Sequence, residues 1–382
     1  MKPELSAPQT LVEHLPEEWE ALLRQWGEPR FRALQVFRWI HQRGVLDPEQ
    51  MTDLPKALRA RLAEGGLAAP VEVARVLESG DGTRKLLCRL GDGREVESVL
   101  IPRGAVAAAD IYAPQQDDED GPQQGAPRAA VTQCISSQVG CAMGCSFCAS
   151  GIAGLKRQMT AGEIIAQVIE GRRVLGEAAR LSGVVLMGMG EPLHNYPAVA
   201  RALTLLNHPE GIRMSLRRVT LSTSGLVDGI ERLGRDFGGQ VGLAVSVHAP
   251  ADPIRTRLMP VNRRHPLQEL IAALRAYPLP PHRRITVEYT LIAGINDAPE
   301  HARALCERLR GIAVKVNLIP MNPVPESPLG APSDGAVEGF QRTLRQHGVD
   351  VFVRRRKGDD IAAACGQLAL HGEKAKVRTH TG

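Results

Sequence analysis

A chain of 382 residues, 43% apolar and 23% charged, is long enough for one large domain or two smaller ones, and this composition excludes a largely disordered chain or a lone binding motif. The balance of 47 basic against 42 acidic residues, a net charge of +5, is compatible with a nucleic-acid partner without requiring one. No apolar run of about 18 residues occurs, and the opening MKPELSAPQT lacks the charged-then-apolar order of a signal peptide. The expectation is a cytoplasmic protein with no membrane partner, whose seven cysteines are reduced and, where closely spaced, serve metal binding or catalysis.

In chain order, Trp19, Trp26 and Trp39 are the only tryptophans, and Phe31, Leu34 and Phe37 recur at threefold spacing. Residues 1–68 therefore predict a small helical accessory domain with a core of its own. In 69–102 the runs VEVARVLES, TRKLLCRL and REVESVLIP are separated by GDG at 80–82 and 91–93, which predicts a β-meander. Residues 103–130 are rich in Gln, Asp, Pro and Ala and read as a flexible low-complexity insertion. From 131 to 370 apolar runs (GVVLMGMGEP, RRVTLSTSG, GLAVSVHAP, RRITVEYTLIAGIND, VKVNLIPMNP, DVFVRRRKG) alternate with helical patterns, one opened by a Thr160 to Glu163 capping box. Six βα units predict an α/β fold, a partial (β/α)6 barrel with active residues at the C-terminal strand ends. Residues 371–382 read as a disordered basic tail.

The segment Cys141-Ala-Met-Gly-Cys145-Ser-Phe-Cys148 places three thiols within eight residues. Three thiolates can hold three irons of a 4Fe-4S cube and leave the fourth open to a small molecule. Zinc would ordinarily need a fourth Cys or His at matching spacing, and none sits nearby. Gly188-Met-Gly190-Glu191-Pro192 follows an apolar strand, where glycines admit a ligand close to the backbone and Glu191 can accept from an ammonium group. Ser222 in LSTSG, Ser246, Val247 and His248 in SVHAP, and Asn322 in MNP mark three further strand ends. Any one of these alone is ordinary turn chemistry; a bound ligand would require them aligned. Basic pairs at Arg217-Arg218, Arg263-Arg264 and Arg283-Arg284 and the run Arg354 to Lys357 are either solvated side chains or RNA contacts.

The cysteine loop, with Phe147 before its last cysteine, resembles the radical S-adenosylmethionine (SAM) superfamily, and GMGEP resembles the element that holds the methionyl amine of SAM. The resemblance implies reductive cleavage of SAM to a 5′-deoxyadenosyl radical. CISSQVGC, GMGEP, LSTSG, SVHAP with RTRLMPVNRRHP, VNLIPMNPVP and GDDIAAACGQL, joined by FRALQVFRWIHQRG and MTDLPKALRARL, are together similar to the RlmN/Cfr family of RNA adenine methyltransferases, over roughly residues 20–370. What that implies is methylation of an adenosine in 23S rRNA, and on the RlmN side also of the adenosine 3′ of the anticodon in tRNA. RlmN methylates carbon 2 and Cfr carbon 8, and the N-terminal match and VESVLIP favour RlmN. The resemblance further implies two SAM molecules per turnover, Glu97 as proton acceptor, Cys365 as a methylated intermediate and Cys134 as the thiol that resolves it through a transient disulfide. An electron donor such as flavodoxin or ferredoxin and a monomeric state are expected. By alternation with Val96 and Val99, Glu97 would otherwise be an exposed strand residue; as a base it needs burial to raise its pKa. Cys88 and Cys306 lie in apolar patterns and read as buried thiols. The insertion and GLKRQMT depart from the family pattern and bear on RNA target rather than reaction type. Two other readings remain: an RNA-binding iron-sulfur protein without SAM cleavage, and a radical SAM enzyme with a small-molecule substrate.

Overall fold

The computed structural model describes residues 10–103, 129–354 and 358–368. Most of the 103–130 insertion and the 371–382 tail lie outside the described residues. Three N-terminal helices, α1 (Pro16–Gln25), α2 (Phe31–His41) and α3 (Lys56–Glu64), precede three strands, β1 (Val71–Glu78), β2 (Arg84–Leu90) and β3 (Glu95–Pro102). Next come β4 (Ala129–Cys134), the short β5 (Gln138–Val139), α4 (Ala149–Ala153), the short β6 (Arg157–Gln158) and α5 (Ala161–Leu175). Strand and helix then alternate: β7 (Ala179–Leu186), α6 (Tyr196–Asn207), β8 (Val219–Thr223), α7 (Val227–Phe237), β9 (Gly242–Ser246), α8 (Asp252–Leu258), α9 (Leu267–Ala276), β10 (Ile285–Leu291), α10 (Pro299–Leu309), β11 (Val314–Pro320), α11 (Asp334–Gln346) and β12 (Val351–Val353).

Ten strands form one sheet in the order β1-β2-β3-β4-β7-β8-β9-β10-β11-β12. Pairing is antiparallel as far as β4 and parallel from β4 to β12, so six crossovers link seven parallel strands among the described residues. The meander is thus the antiparallel flank of the barrel sheet, with Val99 of β3 opposite Cys134 of β4. Because parallel strands share a direction, the C-terminal ends of β4 and β7–β11 open on one mouth, which gathers residues far apart in sequence. Among the described residues no helix is long and apolar enough to cross a membrane.

Two expectations for the N-terminal helices need correction. The buried stripe of α2 is Ala33, Val36, Phe37 and Ile40, the i, i+3, i+4, i+7 face of a helix, and Phe31 is 58% exposed. Of the threefold set Phe31, Leu34 and Phe37, only Phe37 lies on that stripe. Trp19 and Phe37 also belong to a hydrophobic core continuous with the barrel strands, not to one of their own. The predicted capping box is present: Glu163 N donates to Thr160 Oγ1 (3.1 Å) and Thr160 N to Glu163 Oε2 (2.9 Å), a device worth about 1 kcal/mol. Buried Arg157 clamps that helix start, donating to both Glu163 oxygens (2.8 and 2.7 Å) and to Asp92 of the second GDG turn (2.7 Å).

Candidate iron-sulfur and cofactor site

The cysteine loop is fastened at its base. β5 and β6 pair antiparallel on either side of it, and Gly140 (φ +76°) passes so close to Gly154 that a Cβ there would sit 2.0 Å from the Gly154 carbonyl oxygen. Within the loop Ser146 N donates to Leu258 O (3.0 Å), and Ala149 N to Gly366 O (2.9 Å). The loop therefore leans on α8 and on the segment carrying Cys365.

Cys141, Cys145 and Cys148 all line one cavity at the barrel mouth, together with Gly190, Glu191, Ser222, Ser246, His248, Asn322 and Cys365. Ten of the thirteen residues singled out from sequence thus converge. Glu97, Cys134 and Val247 are not on the lining. Among the described residues no three His, Cys, Asp or Glu groups close tightly enough to hold a single metal ion. The thiols instead line a cavity wall. Burial pushes the Cys141 thiol up to about 12 and raises Cys145 and Cys148 as well, so a cationic cluster would have to supply the charge that keeps them thiolates.

Glu191 is held by its backbone surroundings: Oε2 accepts from Ser224 N (2.6 Å) and Oε1 from Leu193 N (3.1 Å). Burial outweighs those bonds and raises its pKa. His248 is neutral, its pKa lowered to about 3 by burial and then by Arg255. Its Nδ1 accepts from Thr290 N (2.9 Å), which leaves the proton on Nε2, and Phe147 meets the ring edge-on at 4.7 Å. Ser222 Oγ donates to Glu288 Oε2 (2.9 Å). One buried polar atom in this lining, Asn322 Oδ1, has no hydrogen-bond partner. An unsatisfied buried oxygen costs about 1–3 kcal/mol, and a polar ligand such as SAM can satisfy it. Three thiols on one cavity wall, a glycine-lined approach and an orphaned oxygen fit a three-cysteine cluster with SAM beside it.

Cys365 Sγ accepts from Arg354 Nη1 at 2.7 Å, and Asn322 Nδ2 donates to the Cys365 carbonyl (3.0 Å). Cys134, at the end of β4, is 5% exposed; burial first and the neighbouring Cys365 second push its thiol up. All seven cysteines are free thiols, with Cys88 and Cys306 buried as expected. Glu97 is 1% exposed and not on an exposed face. Lys85 Nζ lies 2.8 Å from its Oε1 and also donates to Ala362 O (3.2 Å), three residues before Cys365.

Sequence reading missed Arg255, Glu288 and Lys85, and took Arg354 only as part of a basic run. Fully buried Arg255 binds the carbonyls of Val247 (3.1 Å), Ser224 (2.6 Å) and Ser246 (3.1 Å) and Asn262 Oδ1 (2.7 Å), tying the mouths of β8 and β9 together. Its signal was an arginine five residues beyond an alanine-proline turn, too common to single out. Glu288 sits in ITVEYTL, whose charged residue in a fully buried strand was a usable clue.

The Ribosomal RNA large subunit methyltransferase N-terminal domain matches residues 11–66, and the Radical SAM superfamily matches residues 135–306. A Dual-specificity RNA methyltransferase RlmN of Sorangium cellulosum (strain So ce56) is 59% identical over 99% of this chain and 100% of its own length. One of Halorhodospira halophila (strain DSM 244 / SL1) is 47% identical over 90% of this chain and 88% of its own. The crystal structure of a radical SAM methyltransferase from Sphaerobacter thermophilus superposes with a TM-score of 0.84 at 45% identity, covering 94% of this chain and 99% of that one.

Proposed function

The chain belongs to the RlmN family of radical SAM RNA methyltransferases, and on that premise we propose that it methylates carbon 2 of an adenosine in 23S rRNA, and of the adenosine 3′ of the anticodon in tRNA, through a methylated Cys365. Cys141, Cys145 and Cys148 hold the 4Fe-4S cluster, and Gly190, Glu191, Ser222, Ser246, His248 and Asn322, with the backbone at Val247, form the SAM pocket. Bound there, the cluster and SAM would supply one-electron reductive radical chemistry able to activate a methyl carbon. Carbon 2 of adenine offers no nucleophilic lone pair, so the methyl carbon has to arrive as a radical.

The protein's part is carriage, proton removal and release. Cys365 accepts a methyl group from one SAM by displacement, with Arg354 at 2.7 Å positioned to stabilise the attacking sulfur. A second SAM is spent on activating that methyl group. Cys365 then holds the carbon that bonds to the base. Glu97 takes the proton from the substituted carbon: β3 runs antiparallel to β4, so Glu97, two residues before Val99, lies on the face of Cys134 and towards the mouth. As that proton leaves, the unpaired electron of the adduct passes to the one-electron carrier; the Cys134 thiolate then attacks the Cys365 sulfur, the sulfur–carbon bond breaks with its electron pair on carbon, that carbon takes up a proton from solvent to become the new methyl group, and the disulfide left behind is reopened by a thiol reductant. An electron donor such as flavodoxin or ferredoxin, a monomeric state, a cytoplasmic location and a division into 1–68, 69–102, 103–130, 131–370 and 371–382 belong to the same reading.

The observation that carries it is Cys365 on the wall shared with the three cluster thiols, with Cys134 beside it. The test is anaerobic reconstitution with SAM and RNA, followed by mass spectrometry of the Cys365 peptide and of digested nucleosides. A peptide one methyl heavier and 2-methyladenosine are expected. An unmethylated Cys365 in active enzyme overturns the route, and 8-methyladenosine overturns the target atom.

A further inference from the structure

At the other end of the barrel lies a second cavity, of about 450 Å³. It is lined by Arg43 just after α2, Arg172 and Arg173 in the last turn of α5, Arg180 at the start of β7, Arg213, and Arg218 just before β8. No Asp or Glu is among the described lining residues. Arg172 is anchored, donating to His41 O and Gln42 O (3.2 Å each) at the end of α2, and burial lowers its pKa. Arg43 and Arg173 pair with Asp53 (3.6 Å) and Glu170 (2.7 Å), both outside the lining. Six guanidinium groups line this one cavity, and a cleft lined by one sign of charge draws in the opposite sign. Arginine's planar fork suits phosphate oxygens in particular.

We propose that this cavity is a phosphate-binding site that grips the backbone of the RNA substrate away from the reaction centre. The inference rests on the reading of the chain as an RNA methyltransferase. β7 connects the two sites: Ala179, Arg180 and Leu181 line this cavity, and Leu186 to Gly188 line the other. A strand of that length spans roughly 25 Å. A folded tRNA or an rRNA domain reaches that far and a short stem-loop does not. The N-terminal helices contribute Arg43, so the grip forms where they meet the barrel.

Losing a grip that takes no part in the chemistry raises KM and leaves kcat alone. Holoenzyme carrying Arg180→Glu, and separately the milder Arg180→Gln/Arg213→Gln pair, is assayed with full-length tRNA and with a short stem-loop bearing the same adenosine. KM for full-length tRNA should rise about tenfold or more with kcat unchanged, its salt dependence should become shallower, and the stem-loop KM should stay at the parental value. An unchanged full-length KM in both variants, or an equal loss on both RNAs, overturns the proposal. So does inorganic triphosphate raising the melting temperature of the parent but not of the variants while RNA KM is unaffected, since the site would then serve a free polyphosphate. Parental activity on both RNAs is the control, and its absence would instead refute the RNA methyltransferase reading.

Discussion

Lys85→Ala tests the link between Glu97 and the Cys365 segment. Lys85 and Glu97 have side-chain exposures of 8% and 1% and meet at 2.8 Å, so removing the ammonium leaves a carboxylate in the interior. Breaking one partner out of such a pair costs about 3–5 kcal/mol. The unfolding entropy is about 2.1 cal/mol/K per residue, or roughly 0.8 kcal/mol/K for 382 residues. The expected fall in Tm is therefore about 4–6 °C. Loss of the bond to Ala362 O also frees the chain three residues before Cys365, and a misplacement of about 1 Å at a reacting group can cost roughly a hundredfold in rate. Calorimetry and single-turnover methylation read both effects. The double variant Lys85→Met/Glu97→Gln should recover at least half the lost stability, because an uncharged pair carries no buried-ion penalty, while remaining inactive for want of the base. A Tm change under about 1 °C in Lys85→Ala, or a double variant no more stable than the single one, would refute the reasoning.

Gly190→Ala should weaken SAM binding in equilibrium dialysis and cost about 1–3 kcal/mol of stability, because Gly190 has φ +109° and a Cβ there would lie 2.6 Å from Gln138 Cβ; unchanged affinity would separate this turn from the SAM pocket. His41 and His248 are both held near pKa 3 by burial, against 6.5 ordinarily. Their folded pKa values are depressed, so the unfolded chain takes up their protons first and stability is lost as pH falls from about 6.5 towards 3. Between pH 7.5 and 5.5 each should contribute a loss of about 1.4 kcal/mol, and denaturant melts of His41→Phe should show a correspondingly smaller loss than the parent. Cys145→Ala should abolish 5′-deoxyadenosine production in reconstituted protein; normal production would remove the cluster assignment.

Much of the site was legible because a parallel sheet converts a repeating text of strand, glycine or small polar residue, and helix into one mouth. The motifs GMGEP, LSTSG, SVHAP and MNP each end a strand, so their residues converge whatever lies between them. The cysteine loop was legible from spacing alone. What stayed hidden depended on tertiary contacts that no local pattern encodes. By alternation alone Glu97 reads as exposed, and only the family resemblance marked it as a proton acceptor, yet β3 is buried from Val96 to Ile101, because it is an inner strand of the same sheet as the barrel, between β2 and β4. Lys85 lies in the unremarkable run TRKLLCRL, and its role exists only once β2 and β3 pair and the Cys365 segment docks beside them. The six arginines of the second cavity come from separate parts of the chain, and the pairs conspicuous in sequence supplied only Arg218 of them.

The central claim is that Cys365 carries the methyl carbon and Cys134 releases it. The direct measurement is denaturing electrophoresis and mass spectrometry of the Cys134→Ala protein after anaerobic turnover with SAM and labelled RNA. The account predicts RNA covalently attached through Cys365, at most one equivalent per protein, and no such species in a Cys134→Ala/Cys365→Ala variant. Repeated turnover by the Cys134→Ala protein, with release of free methylated RNA, would contradict it.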